Sequence, residues 1–215
     1  MLGTSHNCLE KAKSAPTRIP IMKIKLFILL VLLLTASNQL AGQDFKELKS
    51  IKDPRAKGLD FKLRYPSNWK ELQPERPNVV KKFTNASGSV GMVVLIKKLP
   101  GNPTGEEVEF LRSTLSSSKA LASIPGRSKF LAGSSKTMID NLPASTLEYI
   151  SVARVLDTDL VTRGIRYTVF YKDNYIIISF HSESQNPKET MQNYYANELI
   201  FKRIAASFVL LTKYY

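Results

Sequence analysis

The most regular signal along the chain is an alternation. Leu59, Phe61, Leu63 and Tyr65 are separated by Asp60, Lys62 and Arg64. A period of two puts the apolar side chains on one face of a strand and the charged ones on the other. Pro66-Ser67-Asn68 stops that strand, and prolines at 74 and 77 mark residues 73–78 as a loop. Residues 79–83 predict a short strand, 85–88 a turn and 90–99 a stronger strand. Met92-Val93-Val94-Leu95-Ile96 is apolar at every position, which predicts a central strand covered on both faces. After Pro100, Gly101 and Pro103, the spacing of Thr104 to Glu107 is that of a capping box and predicts a helix. Val108, Leu111, Leu115 and Ala122 form its apolar side, flanked by Phe110 and Leu121, and Ile124-Pro125-Gly126 closes it.

Four strands are expected next: within 129–139, from 144 to about 156, 160–171 and 175–180. Asp140-Asn141-Leu142-Pro143 separates the first two. Asp157-Thr158-Asp159 either turns the chain or interrupts one continuous strand as a bulge. Lys172-Asp173-Asn174 is a tight hairpin signal, because Asp and Asn tolerate positive φ. Asn186-Pro187 opens a terminal helix with proline in a permitted first-turn position, and Tyr194, Phe201, Ile204 and Phe208 line one side of it. Hairpin connections imply a mainly antiparallel sheet of six to seven strands, and doubly apolar strands imply cover on both faces. The expected fold class is therefore α+β, an α/β/α sandwich. One domain over 56–215 follows a flexible, polar lead-in over 43–55.

The start of the chain has a different pattern. From Met22, Lys23 and Lys25 precede an apolar run of eleven residues, 26–36, and small residues follow at Ala41 and Gly42. A spanning helix needs roughly 20 apolar residues, so the segment reads as a signal peptide, cleaved after Gly42 or Gln43. Residues 1–21 read either as a long extension of this leader or as sequence upstream of a start at Met22. The chain is thus expected outside the cytoplasm, periplasmic or extracellular. Its only cysteine, Cys8, falls in the leader, so the mature domain has neither a disulfide nor a thiol nucleophile.

Beyond the leader the chain holds 26 basic and 17 acidic residues, and the excess is concentrated in residues 43–98, with 13 basic and 6 acidic. Such an excess serves solubility or faces an anionic partner. Export argues against nucleic acid as that partner. An anionic envelope component or an acidic protein remains, compatible with peripheral membrane association. The residues expected to carry such binding are Lys62, Arg64, Lys81, Lys82, Lys97 and Lys98. They lie on three successive strands, and successive strands often pair, so at least four are expected in one contiguous surface. Trp69 either fills the core or anchors a partner. Catalytic chemistry is thinly supplied: His181, placed just after the last strand, is the one histidine beyond the leader. No zinc spacing, phosphate loop, dinucleotide fingerprint or nucleophile elbow is present. Neither a cofactor nor a metal is expected.

The run Gly58-Leu59-Asp60-Phe61-Lys62-Leu63-Arg64-Tyr65-Pro66-Ser67-Asn68-Trp69 resembles the opening of PsbP-like domains, in which a strand ends in a Tyr-Pro-x-x-Trp element. The order of later elements, Tyr171-Lys172-Asp173-Asn174-Tyr175 in a hairpin and residues 201–210 are also similar. The resemblance implies an α/β/α sandwich around an antiparallel sheet. It further implies kinship with extrinsic subunits of membrane complexes and with exported bacterial proteins. The resulting expectation is an exported, non-enzymatic binding or accessory domain. The alternative is an exported hydrolase using dispersed carboxylates, which converge only in space.

Overall fold

Residues 43–215 are described by the structure, a computed structural model; the signal-peptide reading lies outside the described residues. Three tight turns set the middle of the fold. Asp140 and Asn141 have φ of 51° and 56°, and Leu156 and Asp157 have 46° and 63°. Positive φ at both central residues gives a turn whose twist matches that of the flanking strands. Lys172, with φ of 51°, begins the third turn. These turns join β6 (Arg127–Ile139), β7 (Leu142–Val155), β8 (Thr158–Tyr171) and β9 (Asn174–Ser184) into an antiparallel meander. The chain therefore turns between β7 and β8 rather than continuing through a bulge, and it does so at Leu156-Asp157. Thr158 and Asp159 already belong to β8.

The sheet is extended beyond β9 by β5 (Val90–Lys98), β4 (Val79–Thr84) and β3 (Lys70–Leu72), giving the order β3-β4-β5-β9-β8-β7-β6. A smaller sheet holds β1 (Phe45–Ser50), β2 (Phe61–Pro66) and β10 (Val209–Leu210), in the order β1-β2-β10. Two expectations are corrected here. The flexible lead-in contains a strand, β1, whose Leu48 lies opposite Leu63 of β2 and is buried with it. Its own sequence has no alternation, so pairing with β2 determines its state. β2 also does not join the strands that follow it, because β1 and β10 occupy its two edges.

The helices are α1 (Gly105–Leu115) and α2 (Pro187–Ala206). The capping box of α1 is formed: the Thr104 backbone N–H donates to Glu107 Oε2 at 2.7 Å, and the Glu107 N–H to Thr104 Oγ1 at 3.2 Å. In α2 the Asn186 side chain caps the start, with Pro187 at the first turn.

One face of the large sheet carries the main core. Met92, Val94, Ile96, Ile176, Ile178 and Phe180 point into it and meet Phe201 and Ile204 of α2 and Phe61 and Leu63 of β2. Phe180 stacks on Phe201 at 5.1 Å, and Tyr65 meets Phe83 at 4.4 Å. The opposite face is only half covered. Over β6 and β7, the 3-10 turn Ser118–Ser123 and the segment after it close a small second core of Ala120, Ile124, Leu147 and Tyr149. α1 is held to this region by an arginine: Arg112 is buried and donates to the carbonyls of Ala144 and Thr137, each at 3.2 Å. The expected apolar side of α1 is correspondingly weak. Val108, Leu111 and Leu115 are half-buried, Ala122 lies exposed in the 3-10 turn, and Phe110 is 67% exposed.

Candidate functional site

The uncovered half of that second face, over β4, β5, β9 and the adjoining part of β8, is a cleft of about 530 Å³. Its floor follows from strand alternation. On β5, Met92, Val94 and Ile96 are buried in the main core, so Val93, Leu95 and Lys97 face the other way. On β9, Tyr175 and Ile177 alternate with the core residues Ile176 and Ile178. β5 was expected to be covered on both sides; its second apolar row is instead the half-open floor of this cleft.

A register shift between Val79 and Lys81 in β4 completes the floor. It places Val79 opposite Leu95 and Lys82 opposite Val93, so both join the cleft face although they are three residues apart. Lys81, opposite Val94, points to the other face. One wall is built by Leu115, Ser123 and Pro125, and the other by Glu75, Arg76 and Asn78.

The cationic lining is Arg76, Lys82, Lys97 and Arg166, against a single carboxylate, Glu75, which lies 3.7 Å from Lys82. Arg166 stands on β8 between the buried Ile165 and Tyr167. Its Nη1 donates to Ser123 Oγ at 2.8 Å, and its Nε is enclosed with no hydrogen-bond partner among the described residues. Burial lowers the pKa of this guanidinium, while the nearby Tyr149 and Tyr175 oppose the shift. Burial also pushes the Tyr175 hydroxyl up, so it stays a protonated donor at neutral pH.

The other candidates are dispersed. Lys62, 3.6 Å from Glu47, and the exposed Arg64 lie on the outer side of β2. Lys81 pairs with Glu71 at 2.9 Å and lines a shallow pocket with Lys49 and Arg55. Lys98 pairs with Asp173 at 3.3 Å. The structure thus brings Lys82 and Lys97 together in one cleft and places Lys62, Arg64, Lys81 and Lys98 elsewhere. Two of the six line this cleft, because β2 belongs to the small sheet and Lys81 and Lys82 face opposite ways. Trp69 is 6% exposed and belongs to the main core, which leaves it no surface with which to anchor a partner.

His181 lies within β9, in register with Gly91 and Gly164 on its two neighbours. Its ring occupies the space a side chain at Gly91 would fill, since a Cβ there would lie 2.8 Å from the imidazole. Burial pushes the His181 pKa below the usual imidazole range; Glu183 opposes this and Lys82 adds to it. The site residues that sequence reasoning missed are Arg76, Arg166, Ser123 and Tyr175. Arg166 did carry a signal, as one of two cations, with Arg163, inside a strand otherwise rich in apolar residues.

An antiparallel sheet with α2 and a small sheet on one face, and α1 with an open basic cleft on the other, defines a PsbP-like α+β fold. Among solved structures, the cyanobacterial PsbP protein (CyanoP) of Synechocystis sp. PCC 6803 is similar at a TM-score of 0.51 and 16% identity, over 78% of this chain and 93% of that one. The Saccharomyces cerevisiae Ran-binding protein Mog1p matches at 0.48 and 12% identity, over 79% and 96% of the two chains. LpqN of Mycobacterium tuberculosis, described as involved in cell envelope biogenesis, matches at 0.44 and 12%, over 81% and 95%. No family model matches the sequence, and no curated protein matches it.

Proposed function

We propose that the protein is an exported, non-enzymatic binding or accessory domain that docks on an anionic component of the cell envelope or of a membrane-associated complex. The cleft is the observation that carries this reading. Four cationic side chains converge there over an apolar floor, with one carboxylate among them. Convergence in a concave, partly desolvated site raises the local potential well above that of scattered surface lysines. Export is supported by the lysine pair, apolar run and small residues of 22–42.

The test uses the protein recovered from its native compartment. Its co-sedimentation with vesicles of phosphatidylglycerol and phosphatidylcholine is compared with that on phosphatidylcholine alone, at low and at physiological salt. The expected result is binding to the anionic vesicles only, weakening about tenfold or more as salt rises. Equal binding to neutral vesicles, or none to either, contradicts the proposal.

A further inference from the structure

Arg166 is not explained by a general basic character. The two buried arginines of this region are both supplied with acceptors. Arg112 is held by two carbonyls and Glu109, and Arg163 by the carbonyls of Tyr149 and Gly164 and by Glu148. Arg166 has Ser123 Oγ on one nitrogen, and no carboxylate among the described residues forms an ion pair with it. A half-buried guanidinium whose Nε is enclosed and which lacks a counter-ion is costly, and its planar fork of donors matches a carboxylate or phosphate. Lys82, Lys97 and the protonated Tyr175 hydroxyl stand around the same space.

The apolar floor makes a second demand. Val93 and Leu95 are half-buried and face the opening beside the buried Ile177, so the described chain covers them only in part. Inorganic phosphate would satisfy Arg166 and leave this row bare, whereas a neutral hydrocarbon would cover the row and leave Arg166 unpaired. A volume of about 530 Å³ falls within the range of small-molecule sites, roughly 300–1,000 Å³.

We propose that the cleft binds a small amphiphile, with its oxyanionic head, carboxylate or phosphate, on Arg166 and its apolar body along Val93, Leu95 and Ile177. This rests on the anionic-docking reading above and names the chemistry of one ligand in the cleft. Lys97 and Lys82 sit at the rim and support the head electrostatically.

Calorimetric titration of the full chain with decyl phosphate, decanoate, decanol and inorganic phosphate tests it. Decyl phosphate and decanoate are expected to bind at least about tenfold more tightly than decanol or inorganic phosphate, because only they meet both demands. Arg166→Gln should remove that preference, while Lys62→Gln with Arg64→Gln, on the other sheet, should leave it intact. If Arg166→Gln does not fold, Lys97→Glu at the exposed rim should weaken both anionic amphiphiles by about threefold or more. Equal affinity for decanol and decyl phosphate, tight binding of inorganic phosphate alone, or indifference to both cleft substitutions overturns the proposal. Vesicle binding that survives alongside such a failure would leave the docking reading standing with another surface responsible; loss of both would end both.

Discussion

Leu156 occupies the left-handed region at φ 46° and is 95% exposed at the tip of the β7–β8 turn. A bulky residue there carries a steric cost of about 1 kcal/mol and covers nothing in return. Leu156→Asn should therefore stabilise the protein by about 0.5–1 kcal/mol in urea unfolding, since asparagine tolerates that conformation. A loss of stability would show that Leu156 is held by contacts of its own. Trp69 makes the opposite case: it is 6% exposed, and Trp69→Ala should cost about 3–5 kcal/mol. A change under about 0.5 kcal/mol would contradict its place in the core. The Tyr-Pro-x-x-Trp run was legible in the sequence because its turn closes locally, with Trp69 N–H donating to the Pro66 carbonyl at 3.0 Å. His181 supplies a pH test. Its folded pKa lies below the unfolded value near 6.5, so the unfolded chain takes up a proton first as pH falls. The contribution is whole above that value and is lost as pH drops below it. A His181→Gln variant should show a flatter stability profile between pH 7 and 5, and an unchanged slope would contradict a desolvated, neutral imidazole.

α1 shows how an element can be visible in sequence while its attachment is not. Thr104 and Glu107 marked its start correctly, because capping is a matter of spacing within four residues. Its docking depends on Arg112 and on Gly133 of β6, two residues that no helical period singles out. A Cβ at Gly133 would lie 1.8 Å from the Ser116 carbonyl oxygen, just beyond the end of α1. Gly133→Ala should thus push the end of α1 away from the sheet and cost about 1–3 kcal/mol. Because Leu115 lines the cleft, the same variant should also change ligand affinity. Equal stability and equal binding would show that the wall does not depend on this close approach. β1 illustrates the converse. Its polar sequence predicts no strand, yet its ladder with β2 runs from Phe45 opposite Pro66 to Ser50 opposite Phe61. Strand pairing over such a distance cannot be read from a local period.

At the scale of the whole molecule, the meander and the α/β/α layering were legible because hairpin turns and alternation are short-range signals. The candidate site was legible only in part. Lys82 and Lys97 stood out as charges in strands, but their companions depend on a bulge in β4, a strand order that sets β5 beside β9, and Arg166 arriving from β8. The same order carried β2 into the small sheet and removed Lys62 and Arg64 from the cleft. The net charge of residues 43–215 therefore overstates the anion-binding surface, since Lys62, Lys81 and Lys98 are each paired with carboxylates at 2.9–3.6 Å.

The central claim is that anion recognition belongs to this cleft rather than to the basic surface at large. Backbone amide chemical-shift mapping during titration with decyl phosphate tests it most directly, because it reports every strand at once. The account predicts that the largest shifts fall on Val93, Leu95, Arg166 and Ile177, with Lys62, Arg64 and their neighbours on β1 and β2 unmoved. Shifts centred on β1 and β2, or spread evenly over the lysines of both sheets, would contradict it.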